Sequence, residues 1–471
     1  MVGRHQEREN LLSYLASGKS EFIAVYGRRR IGKTYLIDEV LGDKICLKVT
    51  GMAKASTAVQ LSNFYHSLEK AGWQGERQKT WMDAFNDLED YLSTLKFKRK
   101  VVFIDEMPWM DTQRSNFLSA LEHFWNGWAI GQKNIVLISC GSATTWMTNK
   151  LINNKTGLHN RLTHTIHLMP FSLSETEEML HSMGIRWVRK QIVECYMVLG
   201  GVPYYLSLLN PKLSMVQNID NLLFSESGEM VTEFDRLYES LFTNHEYYLK
   251  IISALASKSK GLTADEISDV AKIAKGGNRS QALKDLENCH FIRRYNDYSH
   301  KQTNPLYQLV DPFTLFYYHF MKNGDYRNAS TPWMSLQGKP KYTTWAGYAF
   351  EIICLQHIQK IKDALGIGSV NTNVFSWRSD NYDTDKVQID MVIDRQDNHI
   401  NLCEIKFYDS VFTINKSYRD KLEKKSEIFR EAISNKRPRK SVTTTLITSY
   451  GVKENAYSVD YNTKVTMDDL F

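Results

Sequence analysis

Residues 21–34 read EFIAVYGRRRIGKT. An apolar run, Phe22 to Val25, leads into Gly27, four further residues, then Gly32, Lys33 and Thr34, and the chain continues through KTYLIDEVL. The pattern is a buried strand, a glycine-bounded loop and a helix start. Glycines at these two places let the backbone curl so that its N–H groups converge, and the first turn of the helix adds unsatisfied N–H groups and a positive dipole end. Phosphate oxygens are what such a loop holds. Gly27, Arg28, Arg29, Arg30, Ile31, Gly32, Lys33, Thr34 and Tyr35 are the expected nucleotide-binding stretch. Lys33 reaches the outer phosphates, and the Thr34 hydroxyl is placed for a magnesium ion. The implied ligands are ATP and Mg2+, with Lys33 also a catalytic candidate.

Two later strands end in polar residues suited to the same crevice. KRKVVFIDEMPWM contains the apolar run Val101 to Ile104 followed by Asp105 and Glu106. A carboxylate after such a strand supports the magnesium, and the next one polarises the attacking water. NIVLISCGSATTWM is a third apolar strand, whose Ser142 is the expected contact to the γ-phosphate; small polar residues also simply begin loops. Arg161, in LHNRLTHTIHLMPFSLSE, is placed to act as an arginine finger on its own nucleotide or a neighbour's, or is an ordinary surface arginine. A role on a neighbour's nucleotide would make the protein a homo-oligomer.

The 471 residues exceed what one core accommodates, and length alone suggests about three domains. No apolar run approaches the roughly 20 residues needed to cross a bilayer, and MVGRHQEREN is too polar for a secretory signal, so the expectation is a cytoplasmic protein without membrane contact. Six cysteines, scattered singly without a CxxC pair, fit reduced buried thiols. A net charge of +6 permits a nucleic-acid partner without demanding one.

Residues 173–240 read helical, broken at Gly200 to Leu206 by GGVPYYL. GRRRIGKT, VVFIDEMPWM, the CGS strand end, NRLT followed by PFSL, and GGVPYYL together resemble the archaeal-type ATPase family, a branch of P-loop ATPases near the AAA+ and STAND groups. The resemblance covers about residues 1–240. It implies a RecA-like core with a helical lid, nucleotide at Gly27, Gly32, Lys33 and Thr34, catalysis supported by Asp105 and Glu106, and an N-terminal segment with Gly3 and Arg4 near the adenine.

Residues 245–322 carry three amphipathic helical patterns and a two-strand tail, the pattern of a winged helix. Arg279, Lys284, Arg293 and Arg294 supply positive charge, while Asp285 and Glu287 weaken a DNA-reading role for the third helix. The stretch NGDYRNASTPWMSLQGKPKY reads as a linker.

In KVQIDMVIDRQDNHINLCEIKFY two alternating runs flank RQDNH, so a hairpin is expected. A turn centred on Asp397 sets Asp390 opposite Glu404, with Lys406 on the face of Glu404 and Cys403, Ile405 and Phe407 on the other. Two carboxylates about 5 Å apart repel by about 3 kcal/mol at an effective dielectric near 20, a cost that a divalent cation between them removes. Upstream, Glu351 is embedded in a helical apolar run beside Ala346, Gly347 and Ala349. Glu351, Asp390, Glu404 and Lys406 together resemble the PD-(D/E)xK restriction-type nuclease fold, with Ile389 where the name has proline. The resemblance implies that Asp390 and Glu404 bind magnesium, Glu351 supports it and Lys406 orients the attacking water. Residues 415–440 hold ten Lys or Arg against four Asp or Glu, a helix suited to a phosphate backbone or to plain solvation.

The expected fold is multidomain α/β. A RecA-like P-loop ATPase core over 1–172 is followed by a helical lid over 173–240, a winged-helix domain over 241–325, a linker over 326–342 and a PD-(D/E)xK nuclease-like domain over 343–471. The expected function is ATP hydrolysis controlling a Mg-dependent nuclease on nucleic acid, DNA ahead of RNA. The alternative is a nucleotide-controlled regulatory switch, binding DNA or a protein, with a catalytically silent nuclease fold.

Overall fold

The computed structural model describes residues 2–142, 144–153, 158, 160–296, 305–323, 332–379, 387–435, 438–461 and 463–471. The chain divides into two compact units, Met1–Pro170 and Phe171–Phe471.

The first unit is built on a parallel sheet of five strands: β1 (Glu21–Tyr26), β2 (Ile45–Thr50), β3 (Lys100–Asp105), β4 (Ile135–Gly141) and β5 (His164–His167), in the order β2-β3-β4-β1-β5. The near-continuous apolar runs of β1, β3 and β4 are explained by burial on both faces. Side chains alternate across the sheet. Phe22, Ala24, Val102, Ile104 and Leu137 enter the core under the helices Thr57–Lys70 and Trp81–Thr94. Ile23, Val25, Val101, Phe103 and Ile138 enter the opposite core with Leu36 and Ile37 of the helix Lys33–Leu41. Because β3, β4 and β1 are neighbours, their carboxyl ends bring the segments after Tyr26, Asp105 and Gly141 side by side, which is where ligands bind in open parallel sheets.

The second unit begins with helices Leu173–Ser182, Arg189–Leu199, Pro203–Ser207, Met215–Leu223 and Glu233–Leu241. Gly200 (φ 67°) and Gly201 (φ 64°) both lie in the left-handed region, and a Cβ on Gly201 would stand 2.3 Å from the Phe171 carbonyl oxygen, so the break between helices requires glycine there. Helices His245–Ala256, Ala264–Ala271 and Gly277–Asn288 follow, beside a small antiparallel sheet of β6 (Leu262–Thr263), β7 (Ile292–Tyr295) and β8 (Leu306–Leu309), ordered β6-β8-β7. Residues 297–304 lie outside the described residues.

A second five-stranded sheet is formed by β9 (Thr372–Arg378), β10 (Gln388–Arg395), β11 (His399–Lys406), β12 (Ser441–Thr448) and β13 (Thr463–Thr466), antiparallel from β9 to β11 and parallel from β11 to β13. Helix Pro340–Gln356 covers one face, packing Ile352 and Ile353 with Met391, Ile393, Cys403 and Ile405. On the other face Phe429 of helix Lys416–Ala432 packs with Phe375, Trp377, Val392, Ile400 and Leu402.

The expected linker behaves differently from a tether. Residues 326–331 lie outside the described residues, but from Pro332 onward the segment folds: Trp333 is fully buried, and its backbone N–H donates to the Asp220 carboxylate at 2.6 Å. Its Pro and Gly content marks helix ends, with Pro340 at the first turn of Pro340–Gln356, while the tryptophan supplies the apolar surface that anchors it. The expected boundaries at 240/241, 325/326 and 342/343 fall within the second unit, whose largest buried cluster draws residues from Phe171 to Leu470.

Candidate functional site

Gly27 (φ 149°) leaves β1 pressed against β5: a Cβ there would stand 2.4 Å from the Leu168 carbonyl oxygen. Arg30 (φ 71°) and Gly32 (φ 85°) complete a loop whose left-handed residues turn it back on itself, and the helix starts at Lys33. Ile31 is buried and pins the loop to the core, Arg28 is buried, and Arg29 and Tyr35 are exposed. Arg4, itself left-handed at φ 57°, donates from its guanidinium to the carbonyls of Ile31 and Met169, which ties the N-terminal segment to the loop.

The polar side chains converge. Thr34 Oγ1 donates to Asp105 Oδ2 at 2.8 Å. Lys33 Nζ donates to the Gly27 and Arg28 carbonyls at 3.0 and 2.9 Å and to Ser142 Oγ at 2.9 Å. The Ser142 hydroxyl in turn donates to Glu106 Oε1 at 2.6 Å, and its N–H to Oε2 at 3.2 Å. Glu106 holds φ 46°, a costly conformation for a non-glycine residue that concentrates at functional positions. Lys33, Thr34, Asp105, Glu106 and Ser142 are thus one hydrogen-bonded group, and the lysine rests on loop carbonyls that phosphate oxygens can replace. The Thr34 hydroxyl and the Asp105 carboxylate meet as a hard-oxygen pair, the donor chemistry Mg2+ takes. Arg161 is exposed.

The second unit holds another cluster. Met391 pairs with Cys403, Val392 with Leu402, Ile393 with Asn401 and Asp394 with Ile400, the register centred on Asp397. A register shift between Ile389 and Val392 re-aims the strand at Asp390, whose Oδ2 accepts from the Ile405 N–H at 3.2 Å. Glu404 is buried and faces helix Lys416–Ala432: its Oε1 accepts from Tyr418 at 2.6 Å and lies 2.9 Å from Lys406 Nζ, and its Oε2 accepts from Lys425 at 2.7 Å. Burial alone would raise the Glu404 carboxyl, but Lys406, Lys425 and the Tyr418 hydroxyl outweigh it and hold it at about 2. Glu351 is on the helix Pro340–Gln356, with Oε2 2.5 Å from Lys260 Nζ; the same ammonium lies 3.7 Å from Asp390 Oδ1. Burial and the Asp390 charge push the Glu351 carboxyl up to about 7, against the opposing pull of Lys260.

Glu351 and Asp390 share Lys260, Glu404 pairs with Lys406, and the Lys406 charge acts on all three carboxylates; three residues join them that the sequence did not single out. Tyr418 and Lys425 lie on the inward stripe of their helix with Leu422, Ser426 and Phe429, a polar interruption of an apolar 3.6-residue period that marks them. Lys260 sits in the turn SKSKG and carries no such signal. Lysine ammonium groups stand beside the two carboxylates expected to hold a cation: Lys260 at Asp390, and Lys406 and Lys425 at Glu404. Among the described residues no group of three or more His, Cys, Asp or Glu is placed to hold a metal ion.

The charges expected to face DNA in the residue 245–322 segment are partly turned inward. Arg279 is spent on the Ala264 carbonyl, Asp265 and Ser268. Arg293 is half-buried over the Tyr295 ring and bonded to Gln308 and Ser376, with desolvation lowering its guanidinium from the ordinary value. Residues 436–437 of the basic run lie outside the described residues. No helix among the described residues is long and apolar enough to cross a membrane.

Comparison with known proteins places these observations. A family model described as an ATPase domain predominantly from Archaea matches residues 1–209. That match gives the segment an archaeal-type ATPase domain, with the nucleotide binding and ATPase function of the family. An uncharacterized protein of Methanocaldococcus jannaschii is 27% identical over 365 residues, covering 76% of this chain and 77% of that protein. Among solved structures, a Walker-type ATPase of Pyrococcus abyssi aligns with a TM-score of 0.47 at 16% identity, over 67% of this chain and 95% of the other. The ORC2 protein of Aeropyrum pernix, in ADPNP and ADP complexes, aligns with a TM-score of 0.41 at 15% identity, over 75% of this chain and 95% of the other.

Proposed function

We propose that this protein hydrolyses ATP at the loop of residues 27–34 and uses the nucleotide state to control a phosphodiester site at Glu351, Asp390, Glu404 and Lys406, acting on nucleic acid, DNA ahead of RNA. The observation that carries the first half is the Lys33, Ser142 and Glu106 relay. On ATP entry the Lys33 ammonium exchanges the Gly27 and Arg28 carbonyls and the Ser142 hydroxyl for phosphate oxygens. Ser142, relieved of the lysine, is then free to leave Glu106 for the γ-phosphate, and Glu106 takes up the attacking water. Thr34 and Asp105 would hold Mg2+, which neutralises charge on the phosphates when bound. Loop N–H groups and the start of helix Lys33–Leu41 receive the remaining phosphate oxygens.

For the second half, the support is a buried glutamate on the central strand of the second sheet, kept ionised by two lysines and a tyrosine, beside a helix with Lys416, Lys421 and Lys424 exposed along it. Such a site attracts a polyanion and orients one of its phosphates against Lys406. A second reading is supported by a specific observation, the pairing of every one of the three carboxylates with an ammonium. In that reading the site binds nucleic acid without cutting it and the chain is a nucleotide-controlled switch.

The test is cleavage of labelled plasmid, single-stranded DNA and RNA with Mg2+ or Mn2+, with and without ATP, by wild type, Lys33→Ala and Glu404→Gln. Expected are loss of ATP hydrolysis in Lys33→Ala, and loss of cleavage with retained ATP hydrolysis in Glu404→Gln. Cleavage that is indifferent to ATP and to Lys33→Ala overturns the control. Absence of cleavage together with salt-dependent DNA binding establishes the switch instead.

A further inference from the structure

Two loops leave the second sheet just beyond Lys406 and carry aromatic rings to its surface. β11 and β12 run parallel with Lys406 opposite Thr448, and two residues further along each chain stands a tyrosine, Tyr408 and Tyr450. They are 46% and 40% exposed, and Val411 is 49% exposed. The Tyr408 ring stacks on Phe412, with centroids 5.3 Å apart and planes at 28°, and Phe412 meets Tyr418 in a T-shaped contact at 5.2 Å. Tyr418 is the residue whose hydroxyl donates to Glu404. One row of rings therefore leads from the exposed Tyr408 to the buried glutamate.

The loops that carry these rings are held in place. The Tyr408 N–H donates to Ser449 Oγ at 2.9 Å, the Phe412 N–H to the Gly451 carbonyl at 3.0 Å, the Lys453 N–H to the Phe412 carbonyl at 2.8 Å and the Asn455 side-chain amide to the Ile414 carbonyl at 2.9 Å. Phe412 and Tyr418 pack on a small core of Ile414, Leu422, Leu446 and Tyr461. An exposed ring held by its neighbours loses little freedom when a second flat group covers it. The adjoining charge is largely positive. Lys416, Lys421 and Lys424 are exposed over about 12 Å of the helix Lys416–Ala432, with Asp420 among them. Asp409 is paired with Lys190 at 2.8 Å, and Glu423 and Asp460 with Arg419 at 2.7 and 3.4 Å, so these carboxylates do little to repel an anion.

Flat rings facing water beside lysines match a polymer with bare bases and an anionic backbone. In a duplex each base is covered by its neighbours in the stack and offers no face to a tyrosine. We propose that Tyr408 and Tyr450 form a stacking platform for unpaired bases, and that the site at Glu404 and Lys406 takes single-stranded nucleic acid, with phosphates along Lys416, Lys421 and Lys424. The inference rests on the reading of that cluster as a phosphodiester site and names its substrate class. Tyr408 is at most about 7 Å along the backbone from Lys406, so a base stacked on it brings an adjoining phosphate to the lysine.

The experiment is fluorescence anisotropy of labelled strands of about 15 nucleotides with the nucleotide-free full-length protein in EDTA, which keeps the strands intact. Wild type is expected to bind a thymidine strand at least tenfold more tightly than an abasic strand of equal length or the matching duplex. Tyr408→Ala combined with Tyr450→Ala is expected to reduce the thymidine strand to the abasic affinity while leaving the abasic affinity unchanged, and Tyr408→Phe to bind as wild type does. Lys421→Ala combined with Lys424→Ala should weaken both strands several-fold. A uridine strand distinguishes RNA from DNA as the source of the bases, and tyrosine-dependent binding of either meets the proposal. A second measurement needs no variant: a strand carrying iododeoxyuridine, irradiated with wild type, is expected to crosslink to Tyr408, Phe412 or Tyr450, read by peptide mass spectrometry. Equal affinity for thymidine and abasic strands, indifference to the double tyrosine substitution, a preference for duplex, or crosslinks confined to other residues overturns the platform alone. Binding of neither strand nor duplex overturns the phosphodiester reading with it.

Discussion

The Lys33 ammonium lies 2.9 Å from the Ser142 hydroxyl, across the C-terminal ends of two neighbouring parallel strands. The contact makes Ser142 a shared partner: it receives from the lysine and gives to Glu106 at 2.6 Å. Ser142→Ala therefore leaves the loop intact and disconnects the lysine from the glutamate. Nucleotide affinity is expected to stay within about threefold of wild type and kcat for ATP hydrolysis to fall by roughly tenfold to a hundredfold, the range for loss of one positioned polar group. Equilibrium binding of a fluorescent nucleotide and a phosphate-release assay separate the two quantities, and an unchanged kcat removes Ser142 from the reaction.

Gly27 is the position in the loop least tolerant of a side chain. Gly27→Ala places a methyl 2.4 Å from the Leu168 carbonyl and at a φ that favours glycine, so a loss of roughly 2–4 kcal/mol is expected, together with loss of nucleotide binding. Urea denaturation of the variant measures the first and nucleotide titration the second.

His357 makes stability depend on pH in a direction fixed by its bonds. Its Nε2 accepts from the Leu173 N–H at 3.0 Å, and Nδ1 lies 2.9 Å from the Ile353 carbonyl, so the neutral ring with the proton on Nδ1 satisfies both. Burial lowers it from 6.5, with the Ile353 carbonyl opposing and the Lys360 charge assisting. Below pH 6.5 the unfolded chain binds a proton here that the folded chain refuses, so stability is full above 6.5 and is lost as pH falls toward the folded value. His357→Gln should flatten that part of the denaturation profile between pH 7 and 5; an identical slope in both proteins refutes it.

Trp333 sets the fourth expectation. A tether would tolerate its removal, whereas a buried anchor ringed by Phe316, Phe320, Tyr342 and Trp345 would not. Trp333→Ala is expected to cost about 3–5 kcal/mol in the cooperative unfolding of the second unit, read by chemical denaturation.

The phosphate loop was legible in the sequence because its chemistry is local: glycines, lysine and threonine act within a few residues of one another. The hairpin register was legible for a similar reason, since a turn centre and a two-residue period determine it. Lys260 escaped because 91 residues separate it from Glu351, and its own surroundings, SKSKG, are those of any solvated turn. The burial of Trp333 was not legible, because glycine and proline report chain direction, while burial is decided by distant partners. Arg279 and Arg293 looked like a basic face because a sequence displays charge without displaying which way it points.

The hydrogen bond from Leu173 to His357 bears on how this chain is divisible. The stretch that recurs as an ATPase domain runs to residue 209, yet its last part, from Leu173 onward, is capped, hydrogen-bonded and packed by parts of the chain far beyond it: His357 on the helix start, Tyr342 on Glu194, and one shared core. The heritable module and the mechanical module have different edges. Cutting the gene where the family ends would leave an exposed apolar scar on both pieces, so the two activities proposed here have to be separated by point substitution within the whole chain and not by dissection.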